Sequence, residues 1–245
     1  MIRTYWQASR APRYSLLFAL PLLIIYQVLA LIVPPGPSGV GVRNGADVLL
    51  EAVFIWIAGV WGPRLFMVCL IGIGAWLIAK DIRANRGSVS PAVIGGMLLE
   101  SVCLSLIFGV VVGGLTAALL GAPPPPMSIG QGVHDLGRWT LLMLSIGAGI
   151  YEELLFRVVL VGLLAWGATK LLGWRPLAAG IAATIIGALI FSAFHYIGPY
   201  GDPFDVYSFV FRTIAGLFFS GLYLLRGFGI TAWTHALYDV FLLLR

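Results

Sequence analysis

The sequence predicts an all-α fold, a polytopic transmembrane bundle of about seven or eight helices enclosing a polar intramembrane cavity. Three observations carry this. The 245 residues are 60% hydrophobic and 10% charged, whereas a soluble domain is about a quarter charged. Apolar runs recur at the ~20 residues a helix needs to cross ~30 Å of hydrocarbon. The Lys and Arg residues cluster at the ends of those runs, where they orient helices and meet lipid headgroups. A chain of this length holds six to eight crossings and little else, so residues 1–245 read as one integral membrane domain whose surroundings are the lipid bilayer. The net charge of +5 is a topology signal and excludes nucleic acid as a partner.

The basic stretch Met1–Arg13 precedes a 20-residue apolar run, Tyr14–Val33, that lacks a small-residue cleavage site, so it reads as a retained helix and not a removed signal peptide. Pro34-Pro35-Gly36-Pro37 stops that helix. Ala46–Gly62 carries Asp47 and Glu51 and is separated from the next run, Leu65–Ala79, by Pro63 and Arg64 alone. So tight a joint points to an interfacial or re-entrant helix leading into the second span. After the charged loop with Lys80, Asp81, Arg83 and Arg86 comes a long span, Pro91 to about Leu120, closed by Pro123–Pro126. A fourth helix runs from near Trp139 to about Trp166. Further spans cover about Leu177–Tyr196, Val206–Leu225 and Ile230–Leu244. The expected count is seven.

One side of this arrangement collects Arg3, Arg10, Arg13, Lys80, Arg83, Arg86, Lys170, Arg175 and Arg226, and the other Arg43, Arg64, Arg138 and Arg245. The bias places the N-terminus in the cytoplasm. Cys69 and Cys103 lie within apolar runs without metal-ligand or CxxC spacing and read as packing residues.

An ionisable side chain near the bilayer centre costs ~2.5–3.5 kcal/mol or more, so it persists only when paired or facing a wet cavity. Such residues concentrate in the second half. Glu152 and Glu153 are adjacent, and Arg157 stands four residues beyond Glu153, where the two share a helix face and can pair. Glu152 is rotated ~100° from Glu153, which leaves one carboxylate structural and the other available for chemistry. His195 closes its span with Phe191 one turn earlier, and His235 and Asp239 share a face of the last helix. Three helices thus supply a carboxylate, a histidine and further polar groups. Hydrolysis needs such a set: a base to take a proton from water and donors for the oxyanion. Taken singly, each piece has a plainer reading: an ion pair at a helix end for Glu153 and Arg157, a bridging residue for either histidine. Glu100 reads as a structural hydrogen-bonding residue, His134 as a solvated interfacial residue, and Arg212 as an interfacial anchor or a substrate contact.

The motifs Glu152-Glu153-Leu-Leu-Phe-Arg157, Phe191-Ser-Ala-Phe-His195 and His235-Ala-Leu-Tyr-Asp239, in this order and about one helix apart, resemble EExxxR, FxxxH and HxxxN/D of the CAAX-processing and bacteriocin-processing (CPBP, Rce1-like) intramembrane proteases. The resemblance spans Trp139–Arg245, the expected catalytic core. It implies a helical fold whose cavity opens to the membrane and the cytoplasm. It also implies that Glu152 and His195 activate water, that His235 and Asp239 form the oxyanion site, and that Glu153, Arg157 and Phe191 support them. This sequence departs from the prenyl-protease pattern at Asp239, since an ionised carboxylate cannot donate. Asp239 would instead orient His235 and stabilise its imidazolium.

The expected activity is hydrolysis of a peptide bond near the membrane surface, at the C-terminus of a membrane-anchored or prenylated peptide or protein. No cofactor is favoured. If a divalent metal such as zinc takes part, Glu152, His195 and His235 are its expected ligands. The competing classes are a catalytically silent scaffold or immunity protein and, less in keeping with a chain lacking internal repeats, a proton-coupled transporter.

Overall fold

The computed structural model describes residues 2–36, 41–85, 88–121 and 136–244. The expectations for Arg86, the Pro123–Pro126 run, His134 and Arg245 fall outside the described residues. Within them every regular element is helical, and five helical stretches are long and apolar enough to cross a membrane.

A short helix α1 (Ile2–Arg10) precedes α2 (Pro12–Ile32), and Pro12 at the first helical position suits a start where no backbone donor is needed. Helix α3 (Gly45–Ala58) is N-capped by Asn44, whose side chain accepts from the Ala46 N–H. A turn at Gly59–Trp61 then leads into α4 (Gly62–Ala84). Gly59 sits at φ 55°, a backbone conformation glycine adopts without a Cβ penalty. The chain doubles back there, because the rings of Phe54 and Phe66 meet at 5.3 Å. The 14 residues of α3 reach only about 21 Å, short of the hydrocarbon thickness, and Asn44 at its start is buried. Together α3 and α4 make up one of the five stretches long and apolar enough to cross, Gly45–Ala84.

Helix α5 (Pro91–Leu120) follows. The motif helix is composite: α6 (Arg138–Gly147) opens into a π-helix over Ala148–Val161 and closes as α7 (Gly162–Lys170). Helix α8 (Pro176–Phe194) stops just before His195, which caps it. Helix α9 (Val206–Arg226) is N-capped by Asp205, and α10 (Phe228–Leu243) begins after the single residue Gly227 at φ 80°. Of the seven expected spans, those at α2, α4, α5, α8 and α9 fall within the five candidate stretches, and the other two are the composite helix and α10.

Which ends lie together follows from side-chain contacts. Arg13 Nε stands 3.2 Å from Asp81, and its Nη1 donates to the Asn85 carbonyl at 2.7 Å, so α4 ends where α2 begins. Arg10 donates to the Leu224 carbonyl at 3.1 Å. Arg226 pairs with Glu100 at 2.5 Å, and Tyr5 donates to the same carboxylate at 2.6 Å. Burial and this carboxylate push the Tyr5 phenol up to about 12, so it remains a donor at physiological pH. Glu100 is structural, as its isolation in an apolar span suggests. Helix α10 starts at this same end: the Gly229 N–H donates to Ser15 Oγ at 2.7 Å and Trp233 Nε1 to the Phe18 carbonyl at 2.6 Å.

Two apolar clusters flank α10. One joins α2, α3, α4 and the motif helix through Leu22, Tyr26, Phe66, Ile150 and Tyr151, and the other joins α2, α5 and α9 through Phe18, Phe108, Val112 and Phe219. Small residues set the closest approaches in the bundle. A Cβ at Gly147 would come within 2.6 Å of the Tyr26 ring, and one at Gly149 would run into the Ala232 carbonyl and stand 2.7 Å from Ala236 Cβ. Gly149→Val is therefore expected to cost about 1–3 kcal/mol or to abolish accumulation of folded protein. Gly162→Ala, where a Cβ meets open space, leaves thermal unfolding in detergent near the wild type.

Candidate active site

The π-helix is the element that aims the site. A π-turn widens the backbone ladder to i→i+5 and recurs at functional sites; here it extends over 14 residues and carries Glu152, Glu153 and Arg157. All three are buried. The two adjacent glutamates on it face different partners.

Glu153 lies wholly inside. Its Oε1 is 2.7 Å from His235 Nδ1 and its Oε2 is 3.1 Å from Arg157 Nε. A carboxylate only accepts, so His235 Nδ1 carries the proton and donates. The Arg157 contact is an ion pair without hydrogen-bond alignment, and none of the three guanidinium nitrogens has an aligned partner. The guanidinium instead lies over the faces of Phe191 at 4.3 Å and Phe219 at 5.5 Å. Phe219 also stacks on His235, with ring centres 4.4 Å apart and planes at 20°.

Glu152 points elsewhere. Its Oε1 accepts from Asn44 Nδ2 at 2.9 Å, and its Oε2 stands 3.9 Å from His195 Nε2 with no hydrogen-bond partner. His195 Nδ1 is 2.8 Å from the Phe191 carbonyl. A carbonyl cannot donate, so Nδ1 holds the proton and the neutral ring turns a bare Nε2 toward Glu152. A gap of 3.9 Å between an acceptor nitrogen and a carboxylate oxygen is one that a water molecule bridges.

The structure thus brings Glu152, Glu153, Arg157, Phe191, His195 and His235 together as the motifs predict, and assigns two roles differently. The carboxylate that orients His235 is Glu153; Asp239 Oδ2 is 3.8 Å from His235 Nε2, beyond hydrogen-bond range. Arg212 pairs with Asp202 and lies over the Tyr196 ring at 5.3 Å, and its charge reaches both His195 and Asp239. Sequence reasoning missed Asn44 as part of the site. Asn44 accepts from Ala46 N–H through Oδ1, which leaves its Nδ2 to face Glu152, and its own N–H donates to Tyr26 OH at 3.1 Å. Tyr26 in turn donates to Asp47 at 2.8 Å, and Arg43 Nη1 reaches the same oxygen at 2.6 Å. The only local signal was an N-cap residue ahead of an apolar helix.

The residues do not converge as metal ligands. Among the described residues no three His, Cys, Asp or Glu side chains are grouped to hold one ion.

Removing Arg157 leaves Glu153 buried beside one histidine. Arg157→Leu is expected to destabilise the fold by about 3–5 kcal/mol, measured by thermal unfolding in detergent. Arg64→Leu, at an exposed residue, is expected to change it by no more than about 0.5 kcal/mol.

Against this geometry, residues 135–241 match a family model described as Type II CAAX prenyl endopeptidase Rce1-like. The match brackets all three motifs. No curated protein and no solved structure matches the chain. Over residues 135–241 the second half of this multi-span helical membrane protein is therefore similar to the Rce1-like domain of the type II CAAX prenyl endopeptidases, a peptidase family.

Proposed function

We propose that this protein is an intramembrane endopeptidase that hydrolyses a peptide bond of a membrane-anchored substrate near the membrane surface, using water activated by Glu152 and His195. The observation that carries the reading is the 3.9 Å gap between Glu152 Oε2 and His195 Nε2. Each group's second polar atom is already engaged, by Asn44 and by the Phe191 carbonyl, so both free atoms face the same water.

In the proposed reaction that water lies between them. Glu152 takes one proton as the water oxygen attacks the scissile carbonyl carbon, and the carbonyl π-electrons move onto oxygen. His235 stabilises that oxyanion: with Nδ1 held by Glu153, its imidazolium form donates from Nε2. Collapse of the tetrahedral intermediate breaks the C–N bond, and the proton on Glu152 passes to the leaving amine. Arg157 balances the charge of Glu153, and Asp239 attracts the imidazolium. The mechanism uses no metal ligand set.

The test is cleavage of a panel of membrane-anchored peptides, prenylated and unprenylated, by detergent-purified protein. Glu152→Gln and His195→Asn are each expected to lower kcat by about 10²–10⁴-fold with little change in KM, and the double variant to fall no further than the worse single one. Wild-type turnover by Glu152→Gln would overturn the reading. Loss of the Asn44 donor removes a hydrogen bond to a charged group worth about 1.5–3 kcal/mol. Asn44→Ser, which keeps an N-cap, should thus lower kcat by about ten- to a hundredfold.

A strong chelator is expected to leave turnover unchanged. Loss of activity on chelation with recovery on added zinc would move the reaction to a metal.

A further inference from the structure

We infer that the site opens to the face of the membrane away from the cytoplasm, and that the substrate is an exported, membrane-anchored polypeptide and not a cytosolic prenylated chain. Two independent features of the protein combine here: the charge at the ends of the bundle, and the depth of the site along it.

The basic residues gather at one end. Arg10 reaches the last turn of α9, Arg13 reaches the last turns of α4 beside Lys80 and Arg83, and Arg226 is tied to Glu100 and the Trp6 carbonyl. Ser192 near the end of α8 donates to the Phe209 carbonyl near the start of α9. The two helices are therefore antiparallel, and Arg175 at the start of α8 lies at the same end as Arg226. The opposite end holds fewer: Arg43, paired with Asp47 and Glu51, Arg212, paired with Asp202, Arg64 in the first turn of α4 and Arg138 at the start of α6. An excess of Lys and Arg in short connections marks the cytoplasmic side.

The site lies toward the other end. His195 caps α8 at the terminus remote from Arg175 and runs straight into the 195–205 connection, where its carbonyl accepts from the Asp202 N–H at 2.9 Å. Helix α10 starts at the basic end, at the Gly229–Ser15 contact, and Asp239 falls in its last two turns. His195 and Asp239 are the open members, with side chains 25% and 26% exposed, against 9% for Glu152 and none for Glu153. The route from water to the reacting pair therefore runs past 195–205. The expectation of a cytoplasmic N-terminus and that of a cytoplasmic opening cannot both hold, and the charge distribution favours the first. A CaaX chain carries its prenyl group on a C-terminal cysteine of a cytosolic protein, on the wrong side for this opening.

The choice of substrate rests on the peptidase reading, whereas the sidedness does not, so the experiment reads sidedness without catalysis. In a full-length protein with Cys69 and Cys103 replaced by serine, Pro203→Cys marks the site end and Ala84→Cys the basic end; both positions are exposed. A membrane-impermeant maleimide applied to intact cells is expected to label Pro203→Cys, and to label Ala84→Cys only after permeabilisation. Phe204→Cys, also exposed, repeats the first measurement if Pro203→Cys does not accumulate. Labelling of Ala84→Cys in intact cells, alone or together with the 203 or 204 position, overturns the inference. Peptidase activity in a protein labelled that way would overturn the sidedness and leave the peptidase reading standing.

Discussion

The Glu153 carboxylate is the constraint on which the rest of the second half depends. A buried charge is tolerated only with compensating partners, and this one has two, His235 on α10 and Arg157 one turn along its own helix. Holding both fixes the distance and rotation of the motif helix against α10. Gly149 makes that distance attainable, since the α10 backbone at Ala232 comes too close for any side chain there. Phe191 and Phe219 close the arrangement by covering the guanidinium. With Glu153 so committed, Glu152 is the carboxylate left for a different task.

Among the described residues, the N-terminal half, beyond the reach of the family match, enters the site through Asn44. Asn44 stands at the end of a chain of contacts running from Arg43 and Asp47 through Tyr26 to Glu152. The hairpin of α3 and α4 thus has two roles: its apolar face packs Phe54 and Phe66 toward Tyr151, and its N-cap, Asn44, holds Glu152.

The helical bundle, the span boundaries and the three motifs were legible in the sequence because a charged residue inside an apolar run stands out against its surroundings. Glu152, His195 and His235 needed no more than that. Asn44 was not legible, since a neutral amide before a helix looks like any N-cap. The roles of Glu153 and Asp239 toward His235 were also out of reach. Spacing of four on one helix favours Asp239, and only the packing of two helices reveals that Glu153 comes closer. For the same reason Glu100 could be read as structural while its partner, Arg226, lies 126 positions away.

The π-wound segment bears on how such a sequence can vary. Along an α-helix, gaining or losing one residue turns everything beyond it by about 100°. In the composite helix the strand of backbone from Gly147 to Arg157 is tied at several levels, by Gly147 against Tyr26 and Asn44, Gly149 against Ala232, and Glu153 against His235. Substitutions on the lipid side leave those ties alone, but a single-residue insertion or deletion between them cannot satisfy all at once. The length of this stretch is therefore held more tightly than the identity of most residues in it.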